Sequence, residues 1–267
     1  MNIKNIMKAG LLIFTILILL TGCGQFANKE WNVVYISDNS GSCVPNYLPQ
    51  YIEEDTGKTV ILHNYVIEEL SAQVVLEALR GDTTNARFSE RLKGLREAVA
   101  DADEIIFFAG NYGDIEGMGG LKGDLMACFM YFAGQPPDNC TLEVYQPYTE
   151  VLNGIFEEML ALRDGKPTVI RALDFYNPYL SGQRLQGTEM ETQCSQCWST
   201  FNNAIRSAAD ANHIPLVSVY DLFNGVNHIE DPKEKGYLGD SGFFPSSEGC
   251  QAIANRIVEE GYDPIHP

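Results

Sequence analysis

Residues 33–41 read Val33-Val34-Tyr35-Ile36-Ser37-Asp38-Asn39-Ser40-Gly41, and this stretch decides the fold. Four consecutive β-formers predict a strand buried on both faces, and the small polar residues after them can neither continue a strand nor start a helix cleanly. In an α/β sheet the carboxyl ends of the strands open on the crevice where ligands bind. A polar turn at that place is therefore a candidate site, although a plain strand-to-helix turn uses the same residue types.

Outward from this strand, the chain alternates. Tyr47 to Thr56 predicts a short helix stopped by Gly57, and Thr59 to His63 a second buried strand. Glu68 to Arg80 carries Leu70, Val74, Val75 and Leu79 at helical spacing. Phe88 to Ala102 predicts another helix, and Glu104 to Ala109 a third strand. Tyr145 to Arg163 is helical, Thr168 to Leu173 a fourth strand, Cys197 to Asn212 a helix and Leu216 to Val219 a fifth strand. Ser246 to Glu260 closes the chain as a helix. Strands separated by helices imply a mainly parallel five-stranded sheet covered on both faces, a three-layer α/β/α sandwich.

The first 30 residues read as an address. Lys4 and Lys8 precede an apolar run, Leu11 to Leu20, too short for an ordinary spanning helix. It ends at Leu20-Thr21-Gly22-Cys23, which looks like the lipobox of bacterial lipoproteins. The resemblance implies a signal peptide over 1–22, acylation of Cys23 and a tether over 23–30; the rest, 31–267, shows no linker-like break or internal repeat and is long enough for one core, so a single domain is expected there. The lipobox also implies an extracytoplasmic protein held to a bilayer by lipid, since two or three acyl chains give stable anchoring. Removal of residues 1–22 takes two lysines and no acids with it, leaving 16 basic against 36 acidic residues. Such a charge disfavours nucleic acid and offers nothing to anionic headgroups.

Six cysteines follow Cys23, namely Cys43, Cys128, Cys140, Cys194, Cys197 and Cys250. An exported location permits disulfides, and six cysteines allow fifteen pairings. Cys128 with Cys140 would close a short loop around Pro136-Pro137, and Cys43 and Cys250 follow two candidate site turns and could meet. Cys194-Ser195-Gln196-Cys197 has metal-like spacing, but it lacks a second pair and a nearby histidine, so neither metal nor cofactor is expected.

Three turns would converge on one sheet edge: Ser37 to Gly41, Gly110-Asn111-Tyr112-Gly113, and Gly239 to Gly249, which reads GDSGFFPSSEG. With these in order, the chain from about Trp31 to Gly261 resembles the SGNH (GDSL-type) hydrolases, esterases and acylhydrolases with a flavodoxin-like sheet. That chemistry needs a Ser nucleophile in the first turn and a His preceded by an Asp before the last helix. It also needs a glycine N–H and an Asn side chain at the oxyanion. Carried over by position, the nucleophile's place is held by Asn39, the Asp's by Ser241 and the His's by Phe244. The second turn, where the glycine belongs, should fall near Val66 to Glu69, yet no glycine lies between Gly57 and Gly81; Asn111 alone is retained.

An amide cannot act as alkoxide nucleophile and a phenyl ring cannot accept a proton. The resemblance therefore implies a member that has lost the usual acyl-transfer machinery. The alternative is an active ester hydrolase with a relocated nucleophile such as Ser40, for which His228 is the best available base among His63, His213, His228 and His266. If the crevice is not catalytic, Asp38, Asn39, Ser40, Asn111, Asp114 and Ser241 offer hydrogen bonds, and Tyr112, Phe243 and Phe244 offer flat apolar surface. Such a lining suits a carbohydrate or acyl ligand, unless Phe243 and Phe244 plug the pocket. Trp198 is expected in the core.

Overall fold

The computed structural model describes residues 30–82, 84–85, 87–108, 140–181 and 189–265. Strand β1 (Glu30–Ser37) lies beside β2 (Thr59–Val66) on one side and β3 (Glu104–Phe108) on the other, followed by β4 (Val169–Leu173) and β5 (Leu216–Val217). All four pairings are parallel and the order is β2-β1-β3-β4-β5. Val33 to Ile36 are wholly buried, as the continuous apolar run requires of a strand with helices on both faces. This is the expected three-layer α/β/α sandwich.

Helix α1 (Leu48–Thr56) packs on one side of the sheet against the closing helix α7 (Ser247–Glu259). Helices α2 (Ala72–Leu79) and α3 (Leu95–Asp101) pack with α4 (Gln146–Arg163), which also meets α5 (Glu189–Ala211). A short helix α6 (Val219–Asn224) follows β5 directly. Sequence reasoning ran a strand on to Val219; instead, Ser218 caps α6, its hydroxyl accepting from the Asp221 N–H. The helix expected over 88–102 starts only at Leu95, because Gly94 takes a left-handed backbone (φ 82°) that breaks the helical path. Strand β2 runs on to Val66, so His63 does not end it: it pairs in register with Val34, well short of the crevice edge. Trp198 is buried, as expected.

Beneath the sheet's amino edge, Glu104 is fully buried with Arg171, whose Nε lies 3.2 Å from its carboxylate, and Trp31, whose indole N–H donates at 3.2 Å. Arg171 also donates to the carbonyl of Gly261, tying the chain's last turn to β4. Burial still drives the Glu104 carboxyl above its ordinary range, against the pull of Arg171.

Two disulfides lie wholly among the described residues. Cys43 pairs with Cys250, as the two site turns suggested. Cys140 pairs with Cys197, which overturns the expected Cys128–Cys140 loop. Helix α5 brings Cys197 against Cys140, and Thr200 on the next turn donates to the Cys140 carbonyl at 3.1 Å. Cys194 is also disulfide-bonded, and no cluster of potential metal ligands occurs among the described residues.

Candidate functional site

At the end of β1 the chain turns sharply. Ser37 donates through Oγ to the carbonyls of Asp38 and Phe108, each at 3.0 Å, which locks β1 to β3 at the crevice edge. Asp38 then caps a single 3₁₀ turn, Asn39–Gly41, accepting from the Ser40 N–H at 2.8 Å. Gly41 closes the turn against the strand, where the Tyr35 hydroxyl donates to its carbonyl at 3.1 Å. A Cβ there would stand 2.3 Å from that hydroxyl and 2.6 Å from Phe108 Cδ1, so only glycine fits. Asn39 and Ser40 are left half-buried at the crevice floor.

The turn after β2 answers the missing glycine. The Leu70 N–H donates to the Ile67 carbonyl at 3.0 Å, and Glu69 inside this turn has a left-handed backbone, φ 58°. That is the conformation for which a glycine is usual. Its N–H points at the first turn and donates to Asn39 Oδ1 at 3.1 Å. Sequence reasoning located the turn correctly but could not foresee a glutamate in a glycine's conformation. The Glu69 carboxylate is paired with Arg87, which lies over the Phe88 ring.

The third wall is a tight loop between Leu238 and Pro245, which bridge antiparallel. Every turn of this loop is fastened. The Gly239 N–H donates to the Phe244 carbonyl at 3.0 Å and the Gly242 N–H to the Gly239 carbonyl at 2.9 Å. Ser241 Oγ accepts from the N–H groups of Phe243 and Phe244 at 3.3 and 3.5 Å. The hydroxyl therefore sets the shape of the loop. Phe243 and Phe244 are 39% and 45% exposed, so they do not form a buried plug. After Pro245, Ser246 caps α7 by accepting from the Gly249 N–H at 3.0 Å.

These walls are cross-linked. Cys43–Cys250 joins the first to the third, beside a 2.6 Å hydrogen bond between the hydroxyls of Tyr47 and Ser247. From the loop after β4, Tyr176 donates to the Phe243 carbonyl at 2.7 Å, and its phenol lies near the Ser40 side chain. Burial, with the nearby Asp38 charge, pushes that phenol well above its ordinary pKa, so it stays protonated. Tyr176 stacks on Phe223 of α6 at 4.6 Å. Tyr176 was not singled out from the sequence: a tyrosine three residues past a strand carries no distinguishing signal.

His228 takes a different place from the one a Ser40 partner would need. Its Nε2 lies 2.8 Å from Asp221 Oδ1 and its ring stacks on Tyr220 at 3.8 Å. Among the described residues Ser40 and His228 share no hydrogen bond. His213 terminates α5 with a left-handed backbone, φ 57°. Asn111, Tyr112, Asp114, Cys23 and His266 lie outside the described residues.

No family model matches the chain. The spore germination lipase LipC of Bacillus licheniformis is 24% identical over 229 residues, spanning 84% of this chain and 90% of that protein. Among solved structures, an acetyl xylan esterase from Geobacillus stearothermophilus aligns with a TM-score of 0.53 at 15% identity, covering 90% of this chain and all of that one. An SGNH-hydrolase chain from Slackia heliotrinireducens aligns with a TM-score of 0.51 at 13% identity, covering 86% and 98%. With its parallel sheet in the order β2-β1-β3-β4-β5 and its turns gathered on one edge, the chain has the fold of the SGNH (GDSL-type) hydrolases.

Proposed function

We propose that this is an SGNH-fold lipoprotein of the cell envelope, anchored through acylated Cys23, that has lost acyl-transfer catalysis and binds a carbohydrate or acyl ligand in its crevice. The observation that carries this reading is the hydrogen bond from the Glu69 N–H to Asn39 Oδ1. Oxyanion stabilisation depends on donors left open toward the position where negative charge develops. Here a side-chain amide stands at the nucleophile's place, and its own oxygen occupies the Glu69 N–H that the second turn presents. Ser241 and Phe244, at the Asp and His places, offer a turn-forming hydroxyl and an exposed ring rather than an acid–base pair.

An active ester hydrolase is the competing reading, favoured by the names of the relatives, a lipase and an acetyl xylan esterase. It would use Ser40. The hydroxyl of Ser40, however, meets a phenol kept protonated by burial, which cannot take its proton.

The test is labelling of the full chain by a fluorophosphonate, together with hydrolysis of short-chain nitrophenyl esters. Wild type is expected to be silent in both. The triple variant Asn39→Ser, Ser241→Asp, Phe244→His, which frees the Glu69 N–H and restores nucleophile and base, is expected to gain turnover. Labelling of wild type that disappears in Ser40→Ala would overturn the reading.

A further inference from the structure

The crevice offers two features whose combination narrows its ligand. The first is a directed amide. In an Asn amide only the oxygen accepts, so the bond from the Glu69 N–H fixes Asn39 with Oδ1 turned inward. Its Nδ2 has no partner among the described residues, and Asn39 is only half-buried. Two N–H donors are thus presented to whatever enters, with no acceptor beside them on the same side chain.

The second is a rigid aromatic edge. Solvent-facing phenyl rings are normally a cost, yet Phe244 is 45% exposed while its backbone is held at both ends. Its N–H meets Ser241 Oγ and its carbonyl accepts from the Gly239 N–H. Phe243 beside it is fixed through its carbonyl by Tyr176. Tyr176 also lies near Ser40, the neighbour of Asn39, so the ring edge and the amide stand on neighbouring parts of the crevice. A ring on a backbone already held in place has only its own side-chain rotations to lose when a ligand stacks on it.

Charge excludes one broad ligand class. Asp38 precedes the amide, Asp240 precedes Ser241, and the Glu69 backbone lies against Asn39. Among the described residues, an anionic ligand would meet the charges of Asp38 and Asp240, while the nearby cation Arg87 is engaged with Glu69.

Resting on the reading of the crevice as a binding site, we propose that it takes an uncharged N-acetylated sugar, with the acetamido carbonyl accepting from Asn39 Nδ2 and the apolar face of a pyranose ring lying on Phe244. Acidic sugars and free acyl chains are not its ligands.

Isothermal titration of the full chain in a zwitterionic detergent tests this with four probes: tetra-N-acetylchitotetraose, cellotetraose, tetragalacturonate and decanoate. The acetylated tetramer should bind about 10-fold more tightly than cellotetraose, the discrimination one neutral hydrogen bond supplies. Tetragalacturonate and decanoate should give no saturable signal. Phe244→Ala should weaken the acetylated tetramer about 3- to 10-fold. Asn39→Asp keeps the oxygen that accepts from Glu69 but replaces the donors with an acceptor, and should remove the preference over cellotetraose; far-ultraviolet dichroism checks that both variants fold. Absence of saccharide binding, equal affinity of wild type for the two tetramers, or saturable decanoate binding weakened by Phe244→Ala each overturns the proposal. Fluorophosphonate labelling separates the two claims: an unlabelled protein that binds no saccharide refutes only this ligand, whereas a labelled one refutes the loss of catalysis whatever it binds.

Discussion

Asp174, the residue that follows β4, is fully removed from solvent yet surrounded by donors. The Ser218 hydroxyl donates to it at 2.9 Å, the Tyr220 N–H at 2.8 Å, and Arg206 stands 3.7 Å away. Those partners favour the carboxylate, but desolvation outweighs them and raises its pKa from 3.8 to about 6. The folded state therefore holds a proton on Asp174 in a range where the unfolded chain has released it. The stability this group contributes is full below about pH 4, falls as pH rises through 6, and is constant above. Asp174→Asn retains an oxygen for the Tyr220 N–H and removes the titration. From pH 4 to pH 7 the variant's unfolding free energy, measured in urea, should gain on wild type by up to about 3 kcal/mol. Parallel pH profiles for the two proteins would show that Asp174 ionises alike in both states. Such a residue is not legible in the sequence: Asp174 sits in Asp-Phe-Tyr-Asn like any loop acid, and only the α6 cap folding over it makes it buried.

The turn that ends β1 is held by packing as much as by hydrogen bonds. A methyl group on Gly41 would enter space filled by the Tyr35 hydroxyl, Ser37 Oγ and Phe108 Cδ1, at 2.3, 2.5 and 2.6 Å. Tyr35 and Phe108 are core residues of two adjacent strands and cannot swing away cheaply. Gly41→Ala should lower the thermal midpoint by about 3–10 °C, the effect of roughly 1–3 kcal/mol of overpacking in a domain of this size. An unchanged midpoint would mean that the turn yields without cost. The element was readable because Val33 to Ile36 is apolar at every position, a signature that only a doubly covered strand produces. Strands β3 and β4 were readable from apolar runs interrupted only by Glu104 and Arg171, which pair with each other in the buried sheet. Helix α6 was not, since six residues carry too little periodicity for their hydrogen bonds to announce themselves. Of the candidate site, the turn holding Asn39 and the segment after the loop of Ser241 and Phe244 are joined by Cys43–Cys250, a meeting the sequence suggested. The Asn39–Glu69 bond was not legible, because it depends on a backbone conformation that a glutamate rarely adopts.

Across the whole molecule, the two disulfides that lie wholly among the described residues divide the work unequally. Cys43–Cys250 spans 207 residues of sequence and fastens the turn after β1 to the first turn of the last helix, while Cys140–Cys197 spans 57. Restricting the unfolded chain is worth more for a longer loop, growing with its logarithm. Replacing both Cys43 and Cys250 with Ser should cost about 2–5 kcal/mol, and about 1 kcal/mol more than the same change at Cys140 and Cys197. The two variants should also differ in where they loosen. The sheet core does not depend on Cys43–Cys250, since Val33 to Ile36 remain enclosed by β2 and β3. The crevice does depend on it: the Asn39–Ser40 turn and the Phe243–Phe244 loop reach each other through this bond, the Tyr47–Ser247 contact and Tyr176. Amide hydrogen exchange should therefore speed up in residues 38–47 and 239–250 of the first variant, with β1 and β3 still protected. In the second, those two segments should exchange as in wild type. Equal destabilisation by the two pairs, with no local change in exchange, would show that the long-range staple constrains the chain as a whole and leaves the shape of the crevice to its hydrogen bonds.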